Sequence, residues 1–336
     1  MSNTETAPAE VACAPGGSAA TVEVLTPRAV PLGGPRAMTV RRTLPQRQRS
    51  LVGAWCFVDH YGPDDTAATG GMDVPPHPHT GLQTVSWLFT GEVEHRDSHG
   101  VHAVVRPGEL NLMTGGHGIA HSEVSTPGTT VLHGVQLWVA LPEHARDAPR
   151  DFAHHAPAPV EIDEHATARV FLGTLAGVTS PVATATPLLG AELLLAPGAR
   201  VTLAVDPGFE HGLLVDRGRV TLQGQALEPA ELGAVPAGPA HLEITADGQA
   251  DEPVRLVLLG GPPFGEEIVM WWNFVGRTHD EIVAFRADWE AGSERFGDVA
   301  GYVGRDGRTG DPARLPAPAL PHATIRPRGN PRGNPR

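Results

Sequence analysis

Between residues 21 and 165 the apolar positions form short runs, cut by Gly, Pro and Asp at about ten-residue intervals. "LVGAWCFVDHYGPD" (51–64), "LQTVSWLFTGEVEHRDSHG" (82–100), "ELNLMTGGHG" (109–118) and "VLHGVQLWVAL" (131–141) set the rhythm. Runs of this length, closed by turn residues, predict the strands of a β-sandwich or barrel. An Ala-, His- and Pro-rich stretch at 142–165 breaks the pattern and reads as a weakly ordered bridge. The pattern then restarts. "TGEVEHR" (90–96) followed by "RPGELNLM" (106–113) is echoed by "DRGRVTLQG" (216–224) followed by "LEPAELGAVPAG" (227–238). Each copy has a Gly turn after an apolar run and then a Pro-x-Glu-Leu turn, which predicts two similar all-β barrels in tandem.

One helix is predicted late, over "THDEIVAFRADWEAG" (278–292). Thr278 and Glu281 make a capping box, Ile282, Phe285 and Trp289 share a face, and Gly292 stops the helix. The aromatic run "MWWNF" (270–274) before it is expected to pack this segment onto a barrel. The division expected is a disordered N-terminus (1–20), a first barrel (21–165), a second barrel (166–265), a return segment with the helix (266–304) and a disordered basic tail (305–336).

Composition narrows the chemistry. The chain has 336 residues and a formal charge of −13, from 38 acidic and 25 basic side chains. An acidic surface repels phosphate backbones, so direct nucleic-acid binding is not expected. All the basic residues are arginine, which excludes Schiff-base, pyridoxal-phosphate and P-loop lysine chemistry. No run approaches the roughly 18 apolar residues of a membrane span, and the first residues lack the basic start and apolar core of a secretion signal. Two cysteines, Cys13 and Cys56, rule out a disulfide framework and suit a reducing cytoplasm. With 17 histidines, the chemistry is expected to rest on His, Asp, Glu, Arg or a bound metal.

"PPHPHTGLQT" (75–84) carries His77 and His79 two apart, and "GGHGIAHSE" (115–123) ends in His121 and Glu123, again two apart. In a strand, residues i and i+2 face the same way. Two such strands side by side therefore converge three imidazoles and a carboxylate, a donor set suited to Fe(II), Mn(II), Ni(II), Cu(II) or Zn(II). His117 is a candidate neighbour of this site and His133 reads as a buried hydrogen-bonding residue. His60, His95, His99, His102 and His144 lie near turns and read as solvated.

"HPHTGLQTVSWLFTGEVEHRDS", "PGELNLMTGGHGIAHSE" and "HGVQLWVAL" closely resemble the pirin family, a branch of the cupins. "VRRTLPQRQRSLVGAWCFVDHYGP" (40–63) and "GGPPFGEEIVMWWNFVGRTHDEI" (260–282) extend the resemblance over about residues 22–295. It implies a bicupin, two jelly-roll-like barrels stacked in one chain, with one divalent transition metal in the N-terminal barrel. The ligands implied are His77, His79, His121 and Glu123, and iron(II) is the first metal implied, ahead of Mn, Ni, Cu, Co or Zn. In the second barrel, aligning Gly91 with Gly218 sets Asp206 opposite His79 and His211 opposite Thr84. His241 and Glu243 have no H-x-H partner, so no second metal is expected there. His117 departs from the arginine that the family shows in its "GRGI" segment, which changes the polarity of the pocket entrance.

Four protein ligands on an octahedral metal leave two positions open, the mark of a catalytic rather than a structural site. The resemblance implies a chelating enol as substrate, a flavonol such as quercetin or another enol or catechol, reacting with dioxygen. Glu123 would be ligand and possible base for a ring cleavage that releases carbon monoxide. It also implies a rival class, a non-enzymatic redox regulator that binds a transcription factor or a metabolic enzyme.

Overall fold

A computed structural model of the chain describes residues 22–32, 38–305 and 313–330. The expected N-terminal disorder at 1–20 and, within the expected tail, residues 306–312 and 331–336 lie outside the described residues.

Two seven-stranded antiparallel sheets and two four-stranded ones make two barrels. The large sheet of the first barrel runs, in spatial order, Asp151–His155, Leu110–Thr114, Leu82–Thr90, Val131–Ala140, Trp55–Asp65, Thr39–Leu44 and Arg28–Pro31. Its small sheet runs Asp73–His79, Ile119–Ser125, Val93–Asp97 and His102–Val105. The second barrel repeats this order. Its large sheet runs Glu23–Leu25, Leu232–Val235, Glu210–Arg217, Val254–Gly261, Leu189–Leu195, Ala166–Leu172 and Val160–Asp163. Its small sheet runs Arg200–Ala204, His241–Ala246, Val220–Leu222 and Gln225–Leu227. The repeat seen in the sequence is therefore structural: Gly91 (φ 85°) and Gly218 (φ 83°) turn equivalent hairpins. The Pro-x-Glu-Leu turns match too, with Gly108 (φ 72°) in one and Ala230 (φ 68°) in the other taking the left-handed conformation.

The strand patterns follow from where the sheets lie. The large sheets pack back to back, so their strands are buried on both faces and read as continuous apolar runs, as in "VQLWVAL" and "VRLVLLGG". Each barrel has its own core, and a third cluster fills the seam, built from residues such as Trp55, Trp87, Leu137, Phe171, Leu214 and Val257. The small sheets have one solvent face and alternate. In "RVTLA" and "HLEITA" only Val201, Leu203, Leu242, Ile244 and Ala246 are fully buried. These strands are the counterparts of Asp73–His79 and Ile119–Ser125, so aliphatic side chains occupy the inward positions of the second barrel. His241 and Glu243 point to solvent.

Several elements depart from the simple division of the sequence. Glu23–Leu25 pairs antiparallel with Leu232–Val235 in the second barrel, although the next strand, Arg28–Pro31, belongs to the first. The 142–165 bridge contains Asp151–His155, which edges the first barrel, and Val160–Asp163, which edges the second. The helix forms as predicted, over His279–Glu290 with Thr278 as N-cap and the capping box closed by Glu281. A single-turn helix, Thr66–Thr69, precedes the Asp73–His79 strand. The tail is not simply disordered: Leu315 N donates to Pro76 O (2.8 Å), Ile268 and Arg328 form a bridge, and Asn330 Oδ1 accepts from Leu51 N (2.9 Å). Backbone hydrogen bonds and a few apolar anchors dock it, so its low apolar density concealed the order. Among the described residues, no helix is long and apolar enough to cross a membrane.

His211 shares a face with Leu213 and Val215 inside the second barrel, and neither ring nitrogen has a hydrogen-bond partner. Burial lowers its pKa to about 4, with the charge of Asp206 opposing. The native state thus excludes a proton that the unfolded chain binds below about pH 6.5. Stability held above that pH is lost as the pH falls toward 4. We predict that His211→Leu stabilises the protein by about 2 kcal/mol more at pH 5 than at pH 7.5 in chemical denaturation. An effect that does not change with pH would contradict this assignment.

Candidate metal centre

The strand Asp73–His79 reads "DVPPHPH", and three prolines in one strand need explanation. It is the edge of the small sheet and pairs only with Ile119–Ser125, so prolines that cannot donate to a second neighbour are tolerated. His121 lies opposite His77 in that pairing, which puts His77, His79 and His121 on one face. Gly81 follows at φ 66°, and a Cβ there would lie 2.3 Å from the Val275 carbonyl oxygen, so the chain needs glycine to turn beneath the Val269–Gly276 hairpin.

The three histidines are fully buried, and their ligand nitrogens lie within 4.8 Å of one another. His77 Nδ1 donates to Pro75 O (2.9 Å) and His79 Nδ1 donates to Asn273 O (3.1 Å). A carbonyl can only accept, so each ring carries its proton on Nδ1 and leaves Nε2 unprotonated. His79 Nε2 and His121 Nε2 face each other at 3.0 Å. Burial holds all three pKa values well below the usual imidazole range, which keeps these lone pairs unprotonated. Unprotonated nitrogens gathered at this distance fit a shared cation. Trp138 packs edge-on against His79 (5.1 Å between centroids) and stacks on Phe57 (4.0 Å), walling the site with hydrocarbon.

Glu123 lies on the same face of its strand, buried, with Ser86 Oγ 3.5 Å from Oε1, and it stands outside the tight histidine group. Ser86 in turn donates to Gln136 Oε1 (2.9 Å). His117 is half-buried and lines a pocket with Thr80, Gly81, Arg146, Val275 and Phe285, and its ring does not join the cluster.

Two readings of solvated histidines need correction. His95 is buried opposite Glu123, its Nε2 2.9 Å from Asp97 Oδ2 and its Nδ1 3.4 Å from His121 Nδ1. The alternation in "VEHRD", with Val93, His95 and Asp97 facing inward, was the signal that pointed to it. His60 is buried in the seam. With His133 and Asp216 it makes a second group of three possible metal ligands among the described residues. Asp216 Oδ1 lies 2.7 Å from His60 Nε2 and 2.6 Å from His133 Nε2. His133 is thus buried and hydrogen-bonded, as its sequence position suggested.

The proton logic separates the two groups. Arg41 Nε lies 3.3 Å from His60 Nδ1 and can only donate, so His60 Nδ1 is the acceptor and its proton sits on Nε2, pointing at Asp216. Burial opposes ionisation of Asp216, and hydrogen bonds from His133 and His60 outweigh it, holding the carboxyl below its ordinary value. Arg255 Nη1 adds a contact at 3.3 Å. This is an ion-and-hydrogen-bond clamp between the barrels: His60 and His133 come from the first, Asp216 and Arg255 from the second.

Two stacked jelly-roll barrels with a histidine triad inside the first define a bicupin. The pirin family model matches residues 37–139 and the model of the pirin C-terminal cupin domain matches residues 190–297, and the chain belongs to the pirin family. A Pseudomonas aeruginosa protein provisionally named a quercetin 2,3-dioxygenase is 43% identical over 297 residues, spanning 88% of this chain and 90% of its own. A pirin-like protein of Caulobacter vibrioides is 37% identical over 77% of this chain and 91% of its own. The crystal structure of a quercetin 2,3-dioxygenase from Acinetobacter baumannii superposes with a TM-score of 0.83 at 37% identity, covering 91% of this chain and 97% of that one.

The two clusters predict different responses to mutation. His121→Ala should abolish stoichiometric metal uptake, measured by elemental analysis of purified protein. Asp216→Asn should leave uptake intact and lower stability by about 2 to 3 kcal/mol. Loss of metal in the Asp216 variant alone would reverse the assignment.

Proposed function

We propose that this chain is a metal-dependent dioxygenase of chelating enols, with a flavonol such as quercetin as the model substrate and iron(II) as the metal. The observation that carries the reading is the buried cluster of His77, His79 and His121, whose possible ligand atoms lie within 4.8 Å of one another. The names of the Pseudomonas and Acinetobacter relatives support the substrate class.

His77, His79 and His121 would hold the metal, with Glu123 as the fourth ligand. A metal bound there supplies Lewis acidity toward the substrate's oxygens and a site at which dioxygen can react. The protein's own residues do the rest. The carbonyls of Pro75 and Asn273 keep two imidazoles in the ligating tautomer, and the hydrocarbon around Trp138 and Phe57 excludes bulk water. Glu123, buried on the same face as the histidines, accepts the proton of the substrate's enol hydroxyl.

The test incubates protein loaded with Fe, Mn, Ni, Co or Cu with quercetin under oxygen and follows flavonol absorbance and carbon monoxide. The expected outcome is metal-dependent loss of the flavonol with carbon monoxide release. Glu123→Gln should lower kcat by roughly 10²- to 10⁴-fold, as loss of a general base does. No turnover with any of these metals sinks the reading for this substrate.

A further inference from the structure

We propose that Asp97 and His95 are positioning residues that set the tautomer of His121 and so make it a metal ligand. The inference rests on the metal reading above and concerns residues that do not themselves touch the metal.

The hydrogen-bond directions leave one consistent arrangement. Asp97 Oδ1 accepts from the backbone amides of His99 (2.9 Å) and Val101 (3.0 Å), which locks the carboxylate into the turn after its strand. Asp97 Oδ2, also an acceptor, lies 2.9 Å from His95 Nε2, so His95 carries its proton there. That leaves His95 Nδ1 bare. It faces His121 Nδ1 at 3.4 Å, and His121 must donate across the gap. His121 Nε2 is then unprotonated, 3.0 Å from His79 Nε2 and in the same cluster as His77.

Sheet register brings the parts together. His121 is paired with Asp97 and Glu123 with His95 across adjacent strands, so all four side chains share one face. Phe152 packs against the His95 ring at 5.0 Å between centroids and limits its rotation. His77 and His79 take their tautomers from backbone carbonyls, whereas His121 takes its own from a carboxylate relayed through a second imidazole. That makes His121 the ligand whose competence a side-chain substitution can reverse.

Asp97→Asn is the decisive variant because it keeps size and the turn contacts. Its Oδ1 still accepts from the two amides, and its Nδ2 now donates to His95 Nε2. The proton of His95 moves to Nδ1, His121 Nδ1 becomes an acceptor, and His121 Nε2 carries the proton and cannot ligate. Zinc(II) titration of metal-free protein against a chromophoric chelator should show a 10- to 100-fold weaker site in this variant, the range for loss of such outer partners. Nitrogen-15 spectra of histidine-labelled, metal-free wild-type protein should show His95 protonated on Nε2 and His121 on Nδ1, assigned with the His95→Gln and His121→Ala variants. This second readout does not depend on Asp97→Asn folding. A wild-type protein that takes up no zinc overturns the metal reading itself. Zinc bound equally well by wild type and Asp97→Asn, or His95 protonated on Nδ1 in the wild type, overturns the positioning role and leaves the metal reading standing.

Discussion

A neutral imidazole has two nitrogens and one proton, and inside a dry barrel the protein decides which nitrogen holds it. This constraint governs both histidine clusters of the chain. In the first barrel, acceptors stand behind the rings, so protons point outward and lone pairs converge. In the seam, a donor stands behind His60, so its proton points inward at a carboxylate. Donor sets that look alike on counting residue types, three histidines in one case and two histidines with an aspartate in the other, thus have opposite polarity toward a cation.

The duplicated barrel supplies the setting for this difference. Both barrels use the same strand order, yet the second has filled its inward positions with Val201, Leu203, Leu242 and Ile244. It has become a support. Its large sheet covers the back of the first barrel, Asp216, contacted by Arg255, clamps His60 and His133, and Trp87 Nε1 reaches across to Glu192 Oε2 at 2.9 Å. From the opposite side, the Val269–Gly276 hairpin delivers the Asn273 carbonyl to His79, and Leu315, donating to Pro76 O and accepting from Trp289 Nε1, ties the Asp73–His79 strand to the helix. Residues more than 190 positions away in sequence therefore fix the orientation of His79.

How far each feature could be read in the sequence depends on the range of the interaction that creates it. The barrels, the helix with its Thr278–Glu281 box and the convergence of His77, His79 and His121 were legible because turn residues, capping and i, i+2 spacing act within a few residues. His60 was not. In "FVDHYG" its burial comes from the second barrel lying against that face, which no local pattern encodes. His95 was partly legible, since "VEHRD" alternates, but its neighbourhood of turns outweighed the alternation. The docked tail was hidden because main-chain groups, common to every residue, hold it. The crossing of Glu23–Leu25 to the second barrel was hidden for the same reason.

The central claim is that three imidazoles converge on one cation through Nε2. X-ray absorption at the metal edge of the iron- or zinc-loaded full chain tests it most directly. The account predicts three imidazole ligands with their characteristic multiple-scattering signal, together with oxygen ligation. A fit requiring fewer than three imidazoles, or a spectrum unchanged by His121→Ala, would contradict it.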